Sequence, residues 1–229
     1  MITAVISGDI ISSTGLNDTG RALIENSLIK LLGELKREFD VYGRVIKGDY
    51  LECVVPEPSK ALRVALIIKG FVKSIPIEKN IHYVVNKRVK LFKTHGIRLA
   101  IGYGELSRFN PEKGIIDGEA IYLSGRTINK SSTFSKNRIV IKHTLYFVSN
   151  NDKLNNEFEP LFALLDVLMG KATSKQCKVL YLKLMAYNEE AIVEKLGISQ
   201  SVVNQHSRRV GWNAIEKAVK HFCEVIKAN

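Results

Sequence analysis

Apolar runs of strand length alternate with amphipathic helical stretches through the first 150 residues, and beyond them no strand signal returns. Residues 2–7 are rich in β-branched side chains and read as a buried strand ending at Gly8-Asp9. After the loop Ser12-Ser13-Thr14-Gly15, Asn17 or Asp18 can cap a helix with the apolar face Leu23, Leu28, Leu31, Leu32 and Leu35, running to about Phe39. Residues 41–47 and 50–55 are strand-like and meet at Gly48-Asp49, a hairpin signal. Pro56-Glu57-Pro58-Ser59 opens another helix through Leu62, Val64, Ala65, Ile68 and Val72. Residues 97–103 alternate as a strand, 118–126 open a helix, and 138–141 give a last strand. This order predicts an α/β (α+β) fold, a mixed sheet with helices covering one face. Residues 74–96 hold no strong period and read as a partly helical insertion.

The polar stretch 150–156 marks the expected boundary between an α/β unit, 1–150, and a helical unit, 151–229. A helix from about Phe158 to Met169 begins the second. Hydrophobic residues at 45% and charged residues at 25% fit an ordered globular chain rather than a disordered one. No stretch approaches the roughly 18 apolar residues of a membrane helix, so no membrane partner is expected. Asp9 interrupts the first apolar run too early for a secretory leader. Three widely spaced cysteines and scattered histidines predict reduced thiols, a cytoplasmic setting and no zinc site.

The net charge of +11 suits a polyanionic partner. Residues 1–150 carry 23 basic and 14 acidic side chains, and 151–229 carry 11 and 9, so the excess is not concentrated in the tail. The densest cluster, Lys87, Arg88, Lys90 and Lys93, reads as a solvated face or, alternatively, as a phosphate contact.

The tail carries the clearest local grammar. Thr173-Ser-Lys-Gln176 has the spacing of a capping box, Asn188 can cap a second helix, and Gly197 supplies its left-handed stop. Ser199 then caps a third helix. Helix, glycine turn and helix at this spacing mark a helix-turn-helix, with DNA as the expected partner of residues 173–229. Val203 and Val210 face inward, while Ser201, Asn204, Gln205 and Arg208 form one polar stripe flanked by Gln200 and Arg209. Asparagine, glutamine and arginine are the side chains that read base edges or hold phosphates. A purely structural three-helix unit is the alternative. Val193 stands where many such motifs use alanine, and His206 and Ser207 stand where an aliphatic residue usually closes the core.

Asp9 and Asp49 meet if the first strand lies beside the hairpin. Paired carboxylates can hold Mg²⁺ or Mn²⁺, and Ser13, Thr14 and adjacent backbone N–H groups suit phosphate oxygens. Turn and capping chemistry would explain the same residues.

The segments Gly8-Asp-Ile-Ile-Ser-Ser-Thr14, Ile46-Lys-Gly-Asp49, Ile97-Arg-Leu-Ala-Ile-Gly102 and Gly118-Glu-Ala-Ile-Tyr-Leu-Ser-Gly-Arg126 resemble, in order, the signature segments of class III nucleotidyl cyclase domains. Leu196-Gly-Ile-Ser-Gln-Ser-Val-Val-Asn-Gln205 and Arg209-Val-Gly-Trp-Asn-Ala-Ile-Glu216 resemble the tail of the SatD family. The resemblance implies a ferredoxin-like, cyclase-like first domain, a homodimer, metal ligation by Asp9, Ile10 and Asp49, and a transition-state role for Arg126 if the protein is an enzyme. Tyr122 and Val45 fall where the cyclases use a ribose-orienting asparagine and a purine-reading lysine, which implies a domain that does not cyclise. The expectation is a DNA-binding regulator of SatD type that dimerises or senses a nucleotide-like or phosphorylated ligand. The alternatives are a metal-dependent enzyme acting on a nucleoside triphosphate and a protein-interaction module.

Overall fold

The computed structural model describes residues 2–76, 87–131, 134–135, 138–139 and 141–229. It is mixed α and β up to residue 149 and helical beyond. Strand β1 (Ile2–Ile10) leads through a short 3-10 turn, Ser13–Gly15, into helix α1 (Asp18–Phe39). Strands β2 (Tyr42–Ile46) and β3 (Tyr50–Val55) form the expected hairpin, with positive φ at Lys47 and Gly48 in its turn. Helix α2 (Ala61–Ser74), helix α3 (Lys87–His95) and strand β4 (Ile97–Asn110) follow. The insertion expected at 74–96 is thus helical at both ends, and 77–86 lie outside the described residues.

The sheet runs β2-β3-β1-β4, every neighbouring pair antiparallel. Because β3 sits between β1 and β2, those two are parallel and joined through α1; β3 and β4 are likewise parallel around β1, joined through α2. Each connection skips one position, and the helix between carries the chain across the same face. Strand β5 (Ile115–Gly118) extends the far half of β4, and helix α4 (Glu119–Ser131) follows it.

Side-chain alternation assigns the two faces. Ala4, Ile6, Leu51, Cys53, Val55, Leu99 and Ile101 join the main core with α1 and α2. Val5 and Val54 form a separate cluster with Ala120 of α4. Helices therefore cover both faces, where one was expected. Gly102 explains how closely α4 approaches: a Cβ there would lie 2.1 Å from the Ala120 carbonyl oxygen.

The last strand also differs. Residues 138–139 belong to a small hairpin of β6 (Phe134–Ser135) and β7 (Arg138–Ile139), outside the main sheet. The strand that closes the sheet is β8 (Leu145–Ser149), parallel to the first half of β4. Helix α5 starts at Asp152 rather than near Phe158 and runs to Lys171, because Asn151 accepts from the Lys153 and Leu154 N–H groups. Most of the polar break is thus a capped helix start.

Helices α6 (Ser174–Leu184), α7 (Glu189–Leu196), α8 (Gln200–Val210) and α9 (Trp212–Lys227) complete the chain. The tail packs against the sheet unit through an aromatic group: Phe158 lies 4.8 Å from Phe147 of β8 and 4.7 Å from Phe222 of α9. On the other side, α6 lies on α2, with Gly70 letting the Tyr181 backbone approach. Sheet on one side and α6 on the other leave α2 buried nearly all round, including two lysines. Lys69 donates to the Ile97 carbonyl and the Thr144 hydroxyl and lies 3.6 Å from Asp166 of α5. Lys73 donates to the Met169 carbonyl. A buried ammonium is costly without such acceptors, so these lysines pin α2 to α5.

Candidate functional sites

Asp9 does not end its strand. β1 continues to Ile10, and Asp9 is opposed by Tyr50 on one side and Arg98 on the other. Val5, Ser7 and Asp9 alternate toward α4, and the Ser7 hydroxyl lies 2.8 Å from that of Ser124 on α4. Arg98, itself buried, reaches the Asp9 carboxylate at 3.5 Å. Burial raises the Asp9 carboxyl above its ordinary range, Arg98 pulls it back down, and the Asp49 carboxylate pushes it up again. The Asp49 backbone lies beside the end of β1.

Asp49 is held more tightly. Its carbonyl accepts from the Ile10 N–H at 2.9 Å and its carboxylate accepts from the Ser13 hydroxyl at 2.8 Å. Thr14 accepts from Arg88 at 3.0 Å. Two of the backbone N–H groups beside them are engaged in the turn: Gly15 donates to Ser12 and Leu16 to Ser13. Asn17, not Asp18, caps α1 by accepting from Gly20.

A cavity of about 440 Å³ opens beside these residues, lined by Ile10, Ser13, Thr14 and Asp49 and also by Arg21, Glu25 and Lys47. Arg21 and Lys47 supply positive charge that sequence reasoning did not assign. Lys47 sits next to the Gly48-Asp49 signal and could have been read with it; Arg21 and Arg98 needed the fold.

Mg²⁺ takes oxygen ligands in a near-octahedral set, mostly carboxylates, carbonyls and waters. Asp9 and Asp49 are the residues that would hold it. As folded, Arg98 compensates Asp9 and Ser13 donates to one carboxylate oxygen of Asp49, so an ion there would compete with Arg98. Among the described residues no group of three or more acidic, histidine or cysteine side chains is arranged for a metal. Arg126 is exposed on α4 and its guanidinium lies 5.9 Å over the Tyr122 ring; none of its contacts among the described residues reaches Asp9 or Asp49. Tyr122, also exposed, donates to Asp117, and Val45 packs against the core.

The tail matches its local reading closely. Thr173 and Gln176 form the capping box heading α6, and Asn188 accepts from Ala191 at the start of α7. Gly197 ends α7 at φ 62°. Ser199 stands at the start of α8, yet its hydroxyl bonds that of Ser201 instead of capping the backbone. Val179, Leu182, Ile192 and Val203 give α6, α7 and α8 a small core of their own, with Val193 packed beside it. On α8, Val203, Ser207 and Val210 are buried, and His206 is half-buried. Gln200, Ser201, Asn204, Gln205, Arg208 and Arg209 are all exposed. Among the described residues Asn204, Gln205, Arg208 and Arg209 have no side-chain hydrogen bond or ion pair; Gln200 reaches Glu189 at 3.4 Å.

Comparisons with family models, with curated proteins and with solved structures return no match. The likeness to cyclase domains and to the SatD family rests on the motif residues themselves. No helix among the described residues is long and apolar enough to cross a membrane.

Proposed function

We propose that the protein is a cytoplasmic DNA-binding regulator of SatD type, in which α7 and α8 form a helix-turn-helix and α8 reads DNA. The α/β part is proposed to be a ferredoxin-like, cyclase-like domain that serves dimerisation or senses a phosphorylated, nucleotide-like ligand. One observation carries the DNA reading: α8 buries Val203, Ser207 and Val210 and exposes Asn204, Gln205, Arg208 and Arg209, which have no side-chain partner among the described residues. The split β-α-β connections support the ferredoxin-like assignment. The cavity beside Asp49, with Arg21, Lys47, Ser13 and Thr14, supports a phosphate-bearing ligand.

Mobility shifts with random and genomic DNA at about 50 mM salt test the reading, since phosphate contacts dominate at low salt. Binding that weakens with salt and is lost in Arg208→Ala with Gln205→Ala is expected. Absence of binding at low salt, or indifference to the two substitutions, overturns it.

A further inference from the structure

A larger cavity, about 690 Å³, lies at the joint between the sheet unit and the helical tail. One wall is the 3-10 turn Pro58–Lys60 and the first turn of α2; the other is the end of α6 and the length of α9. Its size falls within the roughly 300–1,000 Å³ of small-molecule pockets. Leu184, Trp212, Val219 and Cys223 make an apolar lining, further lysines and glutamates line the cavity, and Arg63 is the half-buried cation beside the apolar part.

Arg63 has an unusual position for a cation. Its Nε donates to the Leu184 carbonyl at 2.7 Å, and its guanidinium lies 5.0 Å over the Phe39 ring. Burial lowers its pKa, and among the described residues no carboxylate pairs with it. The acids nearby are otherwise engaged: Glu57 pairs with Lys60 at 2.6 Å and Glu224 with Lys220 at 3.8 Å. Lys183 at the rim pairs with Glu189 and stands over the Trp212 ring. Lys227 acts on Glu57, and Glu216 lines the α9 side with no ion pair among the described residues. What is left over is one half-buried guanidinium with its two Nη groups without a carboxylate, beside an apolar floor. A guanidinium fork binds a carboxylate through two parallel hydrogen bonds, and it does so best where water is partly excluded.

We infer that this cavity binds a small amphipathic carboxylate, its acid group on Arg63 and its aromatic or branched apolar body against Trp212, Val219 and Leu184. Trp212 begins α9 one residue after Gly211 ends α8, so the occupant sits at the base of the exposed helix.

The chain has one tryptophan, and it lines this cavity, so Trp212 emission of the full-length protein reports occupancy directly. Titration with 1-naphthoate and with its neutral counterpart 1-naphthamide separates charge recognition from apolar packing. Saturable quenching is expected with both, at least about tenfold tighter for the acid, the worth of one charge-assisted pair. Arg63→Gln is expected to bind the two equally. Cys223 gives an independent readout in the unaltered chain, since Cys53 and Cys177 are buried and Cys223 is not. Naphthoate should slow its alkylation more than naphthamide does. No saturation below about 1 mM, equal affinity for acid and amide, or an acid preference that survives in Arg63→Gln overturns the inference.

Discussion

At the Asp49 cavity and on α8, the chain gathers similar side chains and treats them in opposite ways. Around Asp9 and Asp49 the polar groups answer one another: Ser13 donates to Asp49, Arg88 to Thr14, Arg98 faces Asp9, and the turn takes up its own N–H groups. On α8, Asn204, Gln205, Arg208 and Arg209 project with no partner among the described residues. Polar groups that satisfy one another fix local geometry and would have to break bonds to accept a ligand. Groups kept in solvent lose only water on binding. The helical tail therefore holds polar groups left in solvent, and the sheet unit holds polar groups already engaged with one another.

The largest test of that contrast is Arg208→Ala combined with Gln205→Ala. With base or phosphate contacts worth about 1–3 kcal/mol each, DNA affinity should fall roughly a hundredfold. Urea stability should stay within about 0.5 kcal/mol, as for other exposed positions. A stability loss comparable to the binding loss would mean that the stripe is structural after all.

Gly102→Val probes the sheet unit. Its Cβ would meet the Ala120 carbonyl at 2.1 Å, so the variant should lose about 3 kcal/mol or more by urea unfolding as α4 is forced outward. Gly33→Ala on α1, where nothing lies within 4 Å of the new methyl, is the control and should stabilise by about 0.5–1 kcal/mol. Equal effects at the two positions would contradict the close approach of α4.

Lys69 gives a pH signature. Burial lowers its pKa from 10.5 to about 8, with Asp166 opposing the shift. Between those values the unfolded chain holds the proton and the folded chain does not, so stability rises with pH from about 8 upward and is lower below. Cys177, its thiol pushed up to about 11, acts in the reverse direction above about pH 9. The clean window is pH 8 to 9, where stability should increase by up to about 1.4 kcal/mol. Lys69→Met should flatten that rise; an unchanged slope would remove Lys69 as its source.

The smallest expected effect is Ser13→Ala, which removes the donor to Asp49 and should cost about 1 kcal/mol by urea unfolding. DNA binding by the folded variant should not change. A loss of DNA affinity here would couple the two regions and erase the distinction between them.

Sequence reading succeeded where the determinants are local. Thr173 with Gln176, Asn188 and Gly197 announce their helix ends within three or four residues, and each does in the structure what its spacing implies. It failed where a long-range partner decides. Asp9 looked like a strand end because an aspartate is a poor strand residue, yet Arg98 and Tyr50 flank it across two ladders. Strand β8 carries only a short run, and it becomes a strand by lying parallel to β4. Sequence reading assigns no role to Lys69 and Lys73, because their acceptors come from α5 and from the segments at Ile97 and Thr144. Asp9 and Asp49 fall on adjoining segments, and Arg21 and Arg98, which set the charge around them, reach that place only through the fold.

The double burial of α2 bears on how the chain comes into being. Its inner side can dock as soon as β1, β3 and β4 pair, but its outer side waits for α6, about a hundred residues further along. At about 5–20 residues per second of synthesis, that wait lasts roughly 5–20 seconds. During it, Gly70 and the apolar surface around it face solvent or a chaperone. The tail is therefore also the cover that closes over the outer side of α2 once α6 has been made.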